Sequence, residues 1–189
     1  MERDGNHMDG TSELKRLPPD GNPDDGDTEK GKYMTFRSGT ENYGVAIQYV
    51  NEIIQMQEIT SVPETEDYIK GLINLRGKVV PVIDVRLRFK QAPQEYNDRT
   101  CIIVVNVKSW VVGLIVEEIS GVVEINEENI LPPPKVGHGE KEQNKYVYGI
   151  GKVDNSVKLL LDPEKLLNDE KTSAAASEKE INVDEEGEV

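Results

Sequence analysis

Short runs of β-branched and aromatic residues, often alternating with polar ones, recur through the middle of this chain: residues 33–37, 43–48, 53–59, 72–75, 79–84, 100–107, 110–116, 121–125, 147–153 and 157–161. Turn-forming pairs punctuate them, among them Ser38-Gly39, Gly77-Lys78, Lys108-Ser109 and Asp154-Asn155. The pattern predicts about ten short strands. Short helical tails are expected over 85–89 and 163–167, where Asp162 before Pro163 suits an N-cap followed by proline at the first helical position. Strands so short and so closely spaced predict an all-β fold of small barrels, which leave no open sheet edge. The unbroken apolar run from Cys101 to Val105 predicts a strand buried on both faces, as where two barrels share a core.

The same pattern occurs twice. Tyr68-x-x-Gly71-Leu72 with Asp84 is echoed by Tyr146-x-x-Gly149-Ile150 with Asp162, each member 78 residues further on. Gly44, Ile47, Val50 and Ile53 are echoed by Gly113, Val116, Ile119 and Val122 at a constant offset of 69. Two copies exclude a solenoid and predict two small, similar subdomains, one from each half of the folded region.

One charge interrupts the pattern. The stretch Asn74-Leu75-Arg76-Gly77-Lys78-Val79 reads as strand, tight turn, strand, with Gly77-Lys78 able to take hairpin backbone angles. Arg76 therefore stands at a hairpin end, where it must reach solvent, meet a carboxylate or face a partner protein. The position 78 residues on is Asp154, so this charge is no part of the duplicated scaffold, and asymmetry within a repeat points to use.

Composition sharpens the boundaries. Of the formal net charge of −14, residues 1–32 carry −4 and residues 169–189 carry −6. Neither segment has hydrophobic periodicity, so both read as disordered tails around a folded unit at 33–168. Asn6-His7-Met8 resembles the junction a cloning site leaves, and the N-terminal residues are set aside from site reasoning. Apolar runs fall far short of the roughly 20 residues needed to span a bilayer. A cytoplasmic protein with no direct membrane insertion is expected.

Little chemistry survives inspection. Cys101 is the single cysteine, which rules out an intrachain disulfide, and its neighbours predict a buried core residue. The two histidines, His7 and His138, offer no triad. Metal-ligand spacings and phosphate-binding glycine loops are missing, so no metal and no cofactor are expected. Glu117-Glu118 and Glu127-Glu128 read as surface charge, because adjacent strand residues point to opposite faces. The folded unit holds 15 basic and 19 acidic residues, which argues against nucleic acid; Arg86, Arg88 and Lys90 read as a solvated basic face. What remains is a binding module for proteins, with no catalytic residues.

Read in order, Tyr43-Gly44-Val45-Ala46-Ile47, Val50-x-Glu52-Ile53-Ile54, Asn74-Leu75-Arg76-Gly77, Pro81-Val82-Ile83-Asp84-Val85-Arg86, Val112-Gly113-Leu114-Ile115-Val116 and Leu160-Leu161-Asp162-x-x-Lys165-Leu166-Leu167 resemble the CheW family of bacterial chemotaxis coupling proteins. The resemblance covers residues 33–168, and the string Gly71-x-x-Asn74-Leu75-Arg76-Gly77-x-x-x-Pro81-x-x-Asp84 is specific to this domain type. It implies two five-stranded barrels, SH3-like or OB-like, sharing an apolar core. It also implies an adaptor without turnover, bridging the cytoplasmic tip of chemoreceptors (methyl-accepting chemotaxis proteins) to the regulatory domain of the histidine kinase CheA. A Glu52–Arg76 salt bridge follows from the family pattern. Ile47, Val50, Gly71, Gly113, Ile119 and Val122 fall at positions associated with kinase or receptor coupling. The loop from Leu131 to Val136, stiffened by Pro132-Pro133-Pro134, resembles one at the kinase contact. Such a module is a monomer alone, recruited to membrane-associated receptor arrays, and two unlike barrel faces would permit ring-closing self-association. Two alternatives stay open: the same module within a larger CheA or CheV protein, and a barrel hydrolase or nucleic-acid binder, which turnover or salt-dependent binding would reveal.

Overall fold

The structure is a computed structural model that describes residues 29–133 and 145–167. The expected tails lie outside the described residues, except for 29–32, and so do His138 and Val136. Among the described residues eleven strands are present: β1 (Lys32–Ser38), β2 (Glu41–Ala46), β3 (Val50–Gln55), β4 (Ile69–Leu75), β5 (Lys78–Asp84), β6 (Cys101–Val107), β7 (Trp110–Val116), β8 (Glu118–Glu124), β9 (Ile130–Leu131), β10 (Val147–Val153) and β11 (Ser156–Leu161). Two one-turn helices, α1 (Val85–Arg88) and α2 (Pro163–Leu167), follow β5 and β11. An aspartate caps each: Asp84 Oδ1 accepts from Leu87 N–H and Asp162 Oδ1 from Lys165 N–H.

The strands form a five-stranded sheet, β3-β6-β7-β5-β4, and a six-stranded sheet, β8-β1-β2-β11-β10-β9. The sixth strand, β9, is two residues long, too short for any periodicity to announce. Strands β3 and β8 begin at Val50 and Glu118, ahead of the expected 53 and 121. A bulge in each, at Asn51 and Ser120, breaks the alternation from which a strand start is read.

The two halves of the sequence do not each build one sheet. Hairpin β1–β2 joins β8, β10 and β11, whereas hairpin β6–β7 joins β3, β4 and β5. After this exchange the sheets correspond strand for strand, with β8-β1-β2-β11-β10 matching β3-β6-β7-β5-β4. The match reaches single residues. Val82 pairs in parallel with Gly113, as Leu160 does with Gly44. Bulges fall at Lys70 in β4 and at Tyr148 in β10. Asp84 N–H donates to Tyr68 O at 2.7 Å, and Asp162 N–H to Tyr146 O at 2.8 Å.

Each sheet is closed by the chain that runs on from one of its outer strands to the opposite side. Beyond β3 the chain returns to β4, where Thr60 and Leu72 exchange two backbone hydrogen bonds of 2.9 Å. Beyond β8 it returns as β9 on β10. Between the two barrels lies the largest apolar cluster, with Phe36, Val45, Ile103, Leu114, Leu161 and Leu166 all but inaccessible. Strand β6 is buried on both faces: Ile103 and Val105 enter this shared core, while Ile102 and Val104 enter the five-stranded barrel. A fully buried aliphatic side chain contributes about 1.5–3 kcal/mol, so this shared layer outweighs any surface pair. Cys101, at the start of β6, is half-buried rather than deep in the core.

The solvated basic face expected at Arg86 and Arg88 is not there. Arg88 is buried between the barrels, its guanidinium 4.4 Å from the Tyr68 ring centre and 4.6 Å from that of Tyr146. Its Nε and one terminal nitrogen donate to the Leu166 carbonyl. Arg86 forms an ion pair with Glu117, which also accepts from Gly39 N–H at 2.7 Å. Glu117 is therefore mostly enclosed, not surface charge. Helix α1 is a single turn wedged against both barrels, so residues two apart on it find protein on either side.

Candidate functional site

The register of hairpin β4–β5 decides how Arg76 is presented. Leu75 pairs with Lys78, which leaves Arg76 and Gly77 as the two central residues, at φ +51° and +85°. The turn is thus Arg76-Gly77, one residue earlier than the expected Gly77-Lys78. Positive φ at both centres is what a type I′ hairpin requires. Asn74 Oδ1 accepts from Gly77 N–H at 2.8 Å and holds the turn in this form. The left-handed conformation costs a residue such as Arg about 1 kcal/mol, whereas Asp154, at the equivalent turn, is of a type that tolerates it.

That cost is incurred beside an ion pair. Arg76 donates to both carboxylate oxygens of Glu52, at 3.2 and 2.7 Å. The predicted salt bridge is present and bidentate, and it ties β3 to the β4–β5 turn across the opposite edges of the five-stranded sheet. The side chain of Arg76 is 78% exposed and that of Glu52 20%. The carboxylate is a recessed anchor and the guanidinium an outward plane. A guanidinium has five N–H groups in a fixed fork, so one edge can hold Glu52 while another meets a second molecule. Exposed ion pairs contribute only about 0–1 kcal/mol, which is too little for this pair to be explained by fold stability.

Apolar side chains flank it. Ile53, next to Glu52, is 43% exposed, and Val79, just past the turn, is 58% exposed. Their repeat equivalents Val122 and Val157 are 51% and 53% exposed, so each barrel presents an apolar pair at the same place. Val122 was among the expected contact residues; Ile53, Val79 and Val157 were not. A signal for two of them exists in the dipeptides Ile53-Ile54 and Val79-Val80, because consecutive apolar residues on a strand must send one side chain outward.

The other expected contact residues lie deeper. Ile47, Val50 and Ile119 are half-buried and pack against the shared core. Gly71 has φ +134°, and a Cβ there would stand 2.1 Å from the Thr60 carbonyl oxygen, so glycine is what lets the barrel close. A Cβ on Gly113 would come within 2.7 Å of methyl groups of Ile102 and Val82. Leu131 is 57% exposed on β9, and Val136 lies outside the described residues. Surface and recess thus divide the described members of the set: Arg76, Val122 and Leu131 face outward, Glu52 anchors Arg76 from a recess, and Ile47, Val50, Gly71, Gly113 and Ile119 shape the barrels beneath them.

Reactive groups are muted. Burial pushes the Cys101 thiol up, away from the thiolate a nucleophile needs. Burial, with Glu41 nearby, raises the Tyr43 phenol to about 12. Among the described residues, no group of three or more His, Cys, Asp and Glu side chains is placed to hold a metal ion, and no helix is long and apolar enough to cross a membrane.

Known proteins are similar to this chain in sequence and fold. The model of the CheW-like domain matches residues 32–171. A chemotaxis protein CheW from Klebsiella aerogenes is 37% identical over 145 residues, which cover 77% of this chain and 86% of that protein. Another from Bacillus subtilis is 32% identical, over 78% of this chain and 94% of the relative. Among solved structures, the scaffolding protein TtCheW from Thermoanaerobacter tengcongensis superposes with a TM-score of 0.68 at 34% identity, over 75% of this chain and 94% of that one. With its twin barrels, its Asn-Leu-Arg-Gly turn and a family model matching nearly all of the folded region, the chain belongs to the CheW family.

Proposed function

We propose that this chain is a chemotaxis adaptor that couples chemoreceptors to the histidine kinase CheA by non-covalent contacts. The carrying observation is the outward face of Arg76, which sits in an unfavourable backbone conformation, pairs with Glu52 and is flanked by exposed Ile53 and Val79. A planar cation framed by apolar surface is suited to a protein interface, where arginine and aliphatic anchors are the usual contributors. The partner at this end is the CheA regulatory domain. The cytoplasmic tip of the receptors meets the surface shaped by Val50, Gly113 and Ile119, and the module works in the cytoplasm beneath receptor arrays. Relatives named as chemotaxis and scaffolding proteins support this reading. Exposed apolar pairs at equivalent places on both barrels also favour head-to-tail contacts that close into rings.

The test is an NMR titration of the labelled full-length protein with the CheA regulatory domain and, separately, with a receptor-tip fragment, for wild type and Arg76→Ala. Shifts with the kinase domain centred on Glu52, Ile53, Arg76 and Val79, much weakened in the folded variant, would support the assignment. The absence of shifts with both partners would overturn it.

A further inference from the structure

The chain passes between the two sheets at two places, from β2 to β3 through Ile47–Tyr49 and from β7 to β8 through Glu117 alone. The repeat makes these crossings equivalent, with Gln48 standing 69 residues before Glu117. Val50 follows the first and Ile119 the second, so two of the residues assigned to the receptor contact lie just beyond a crossing.

The second crossing is pinned from both barrels. Glu117 Oε1 accepts from Gly39 N–H, in the β1–β2 turn of the six-stranded sheet, at 2.7 Å. The same oxygen accepts from a terminal nitrogen of Arg86 on α1, which follows β5 of the five-stranded sheet. Arg86 Nε donates in turn to the Ala92 carbonyl. Beside Ala92, Gln91 accepts from Ser38 Oγ at 2.9 Å and donates to Glu41 at 3.2 Å, which closes this segment on the β1–β2 hairpin. Further along it the Tyr96 hydroxyl donates to Asp84 Oδ2 at 2.8 Å. The Arg86 and Glu117 side chains are 20% and 16% exposed, so solvent screens this pair much less than it screens Arg76 and Glu52. The first crossing is built otherwise. Gln48 carries no charge, and Lys108 and Glu164, the equivalents of Gly39 and Arg86, pair with each other directly at 2.8 Å. The carboxylate at the second crossing is therefore no part of the duplicated scaffold.

The two contacts of the adaptor differ in what they ask of the fold. Glu52, Ile53, Arg76 and Val79 all belong to the five-stranded sheet and its β4–β5 turn, whereas a partner that touches Val50 and Ile119 spans both sheets. Only the second contact depends on how the barrels are set against each other. The shared core is apolar and non-directional, so it holds the barrels together without fixing their angle. Hydrogen bonds are directional. Arg88 supplies one fixed point at the Leu166 carbonyl, and Glu117 supplies another; one point leaves a pivot, whereas two define an orientation. We propose that Glu117 and Arg86 are positioning residues for the receptor contact: they set the angle between the barrels, and so the placement of Ile119 relative to Val50, without touching the receptor. This inference rests on the coupling role proposed above.

The test compares two affinities in each full-length variant, for a receptor-tip fragment and for the CheA regulatory domain, by calorimetric titration. Glu117→Gln keeps an acceptor for Gly39 N–H and the side-chain volume but removes the charge; Arg86→Met keeps most of the length and removes the guanidinium. Receptor affinity is expected to fall about three- to thirtyfold, the range for residues that act on a site without contact, while kinase affinity stays within about twofold. The double variant should lose no more than the worse single one, because the two residues act as a unit. Residual dipolar couplings of the β4–β5 and β10–β11 amides should report a changed angle between the barrels. Glu117→Gln decides the matter alone if Arg86→Met does not fold. A purely structural role would lower stability and leave both affinities of the folded protein intact. Unchanged receptor affinity in Glu117→Gln, an equal fall with both partners, or a fall at an unchanged barrel angle would overturn the proposal. Wild-type protein that does not bind the receptor tip would remove the coupling role and this inference with it, whereas wild-type binding with unaffected variants removes the inference alone.

Discussion

Arg76 shows how one residue separates stability from use. Its left-handed backbone costs about 1 kcal/mol, and its exposed ion pair returns no more than that. Asparagine suits this conformation and cannot reach Glu52 as a cation. Arg76→Asn is therefore expected to leave the unfolding free energy within about 1 kcal/mol of wild type, or to raise it slightly, while weakening binding to the CheA regulatory domain at least about tenfold. Denaturant titration and calorimetry of the same samples check both halves, and a variant that loses binding only in proportion to lost stability would reduce the pair to a hairpin tether. The pairing with Glu52 was legible from the family resemblance but not from spacing, because the partners are 24 residues apart on opposite sheet edges. The Arg76-Gly77 turn was misplaced by one residue, since local preference argues against arginine at positive φ. Tyrosines make a second residue-scale prediction. Burial raises the phenols of Tyr43, Tyr96 and Tyr148, with Asp84 adding to the effect at Tyr96 and Tyr33 at Tyr148. The folded protein then keeps protons that the unfolded chain releases above the ordinary phenol value of 10.0, so their contribution is complete below that pH and declines as pH rises past it. Denaturation midpoints should hold constant from neutrality to about pH 10 and fall beyond it. In Tyr96→Phe the fall should be shallower; an unchanged slope would remove the Asp84 contact from the account.

At the level of elements, two glycines carry the strain of closing and packing the barrels. Gly71 sits where the chain beyond β3 comes back to β4, and a methyl group there meets backbone, which cannot rotate away. Gly71→Ala is expected to cost at least about 3 kcal/mol, combining forbidden φ with a broken closure. Gly113 has ordinary backbone angles and would meet two side-chain methyls in a filled core, so Gly113→Ala should cost about 1–3 kcal/mol. Thermal or urea melts of the two variants check the order, and a Gly113→Ala protein less stable than Gly71→Ala would contradict the closure argument. Both positions stood out in the sequence as members of the repeat. Their physical task did not, because a glycine forced by a backbone contact and one forced by two methyl groups look alike in one dimension. The strands themselves were largely legible, since alternation survives wherever one face is wet. It failed at the bulges of Asn51 and Ser120, where an unpaired residue shifts the phase, and at two-residue β9.

For the whole molecule, the offsets of 78 and 69 disclosed the duplication but concealed the exchange of hairpins. Hairpins β1–β2 and β6–β7 both carry apolar residues suited to a sheet covered on either side, so their patterns fit either barrel and only the folded contacts choose. The exchange has a consequence for cooperativity. Each barrel borrows its two central strands from the other half of the chain, and Arg88 from the first half is fixed to the Leu166 carbonyl of the second between Tyr68 and Tyr146. Neither barrel can lose its core while the other keeps its own, because Ile103 and Val105 of β6 line the shared layer as Ile102 and Val104 line the five-stranded barrel. Unfolding should be a single transition despite the two-barrel architecture. Hydrogen exchange followed residue by residue at rising denaturant should give the amides of β4–β5 and β10–β11 one common opening free energy, coincident with the loss of native Trp110 fluorescence. Arg88→Met, which keeps most of the volume but removes the cation between the two rings, should lower that common value by about 2 kcal/mol without splitting it. If β10–β11 opened at lower denaturant than β4–β5 in the wild type, the barrels would be independent units, and the exchanged hairpins would be a matter of topology with no energetic consequence.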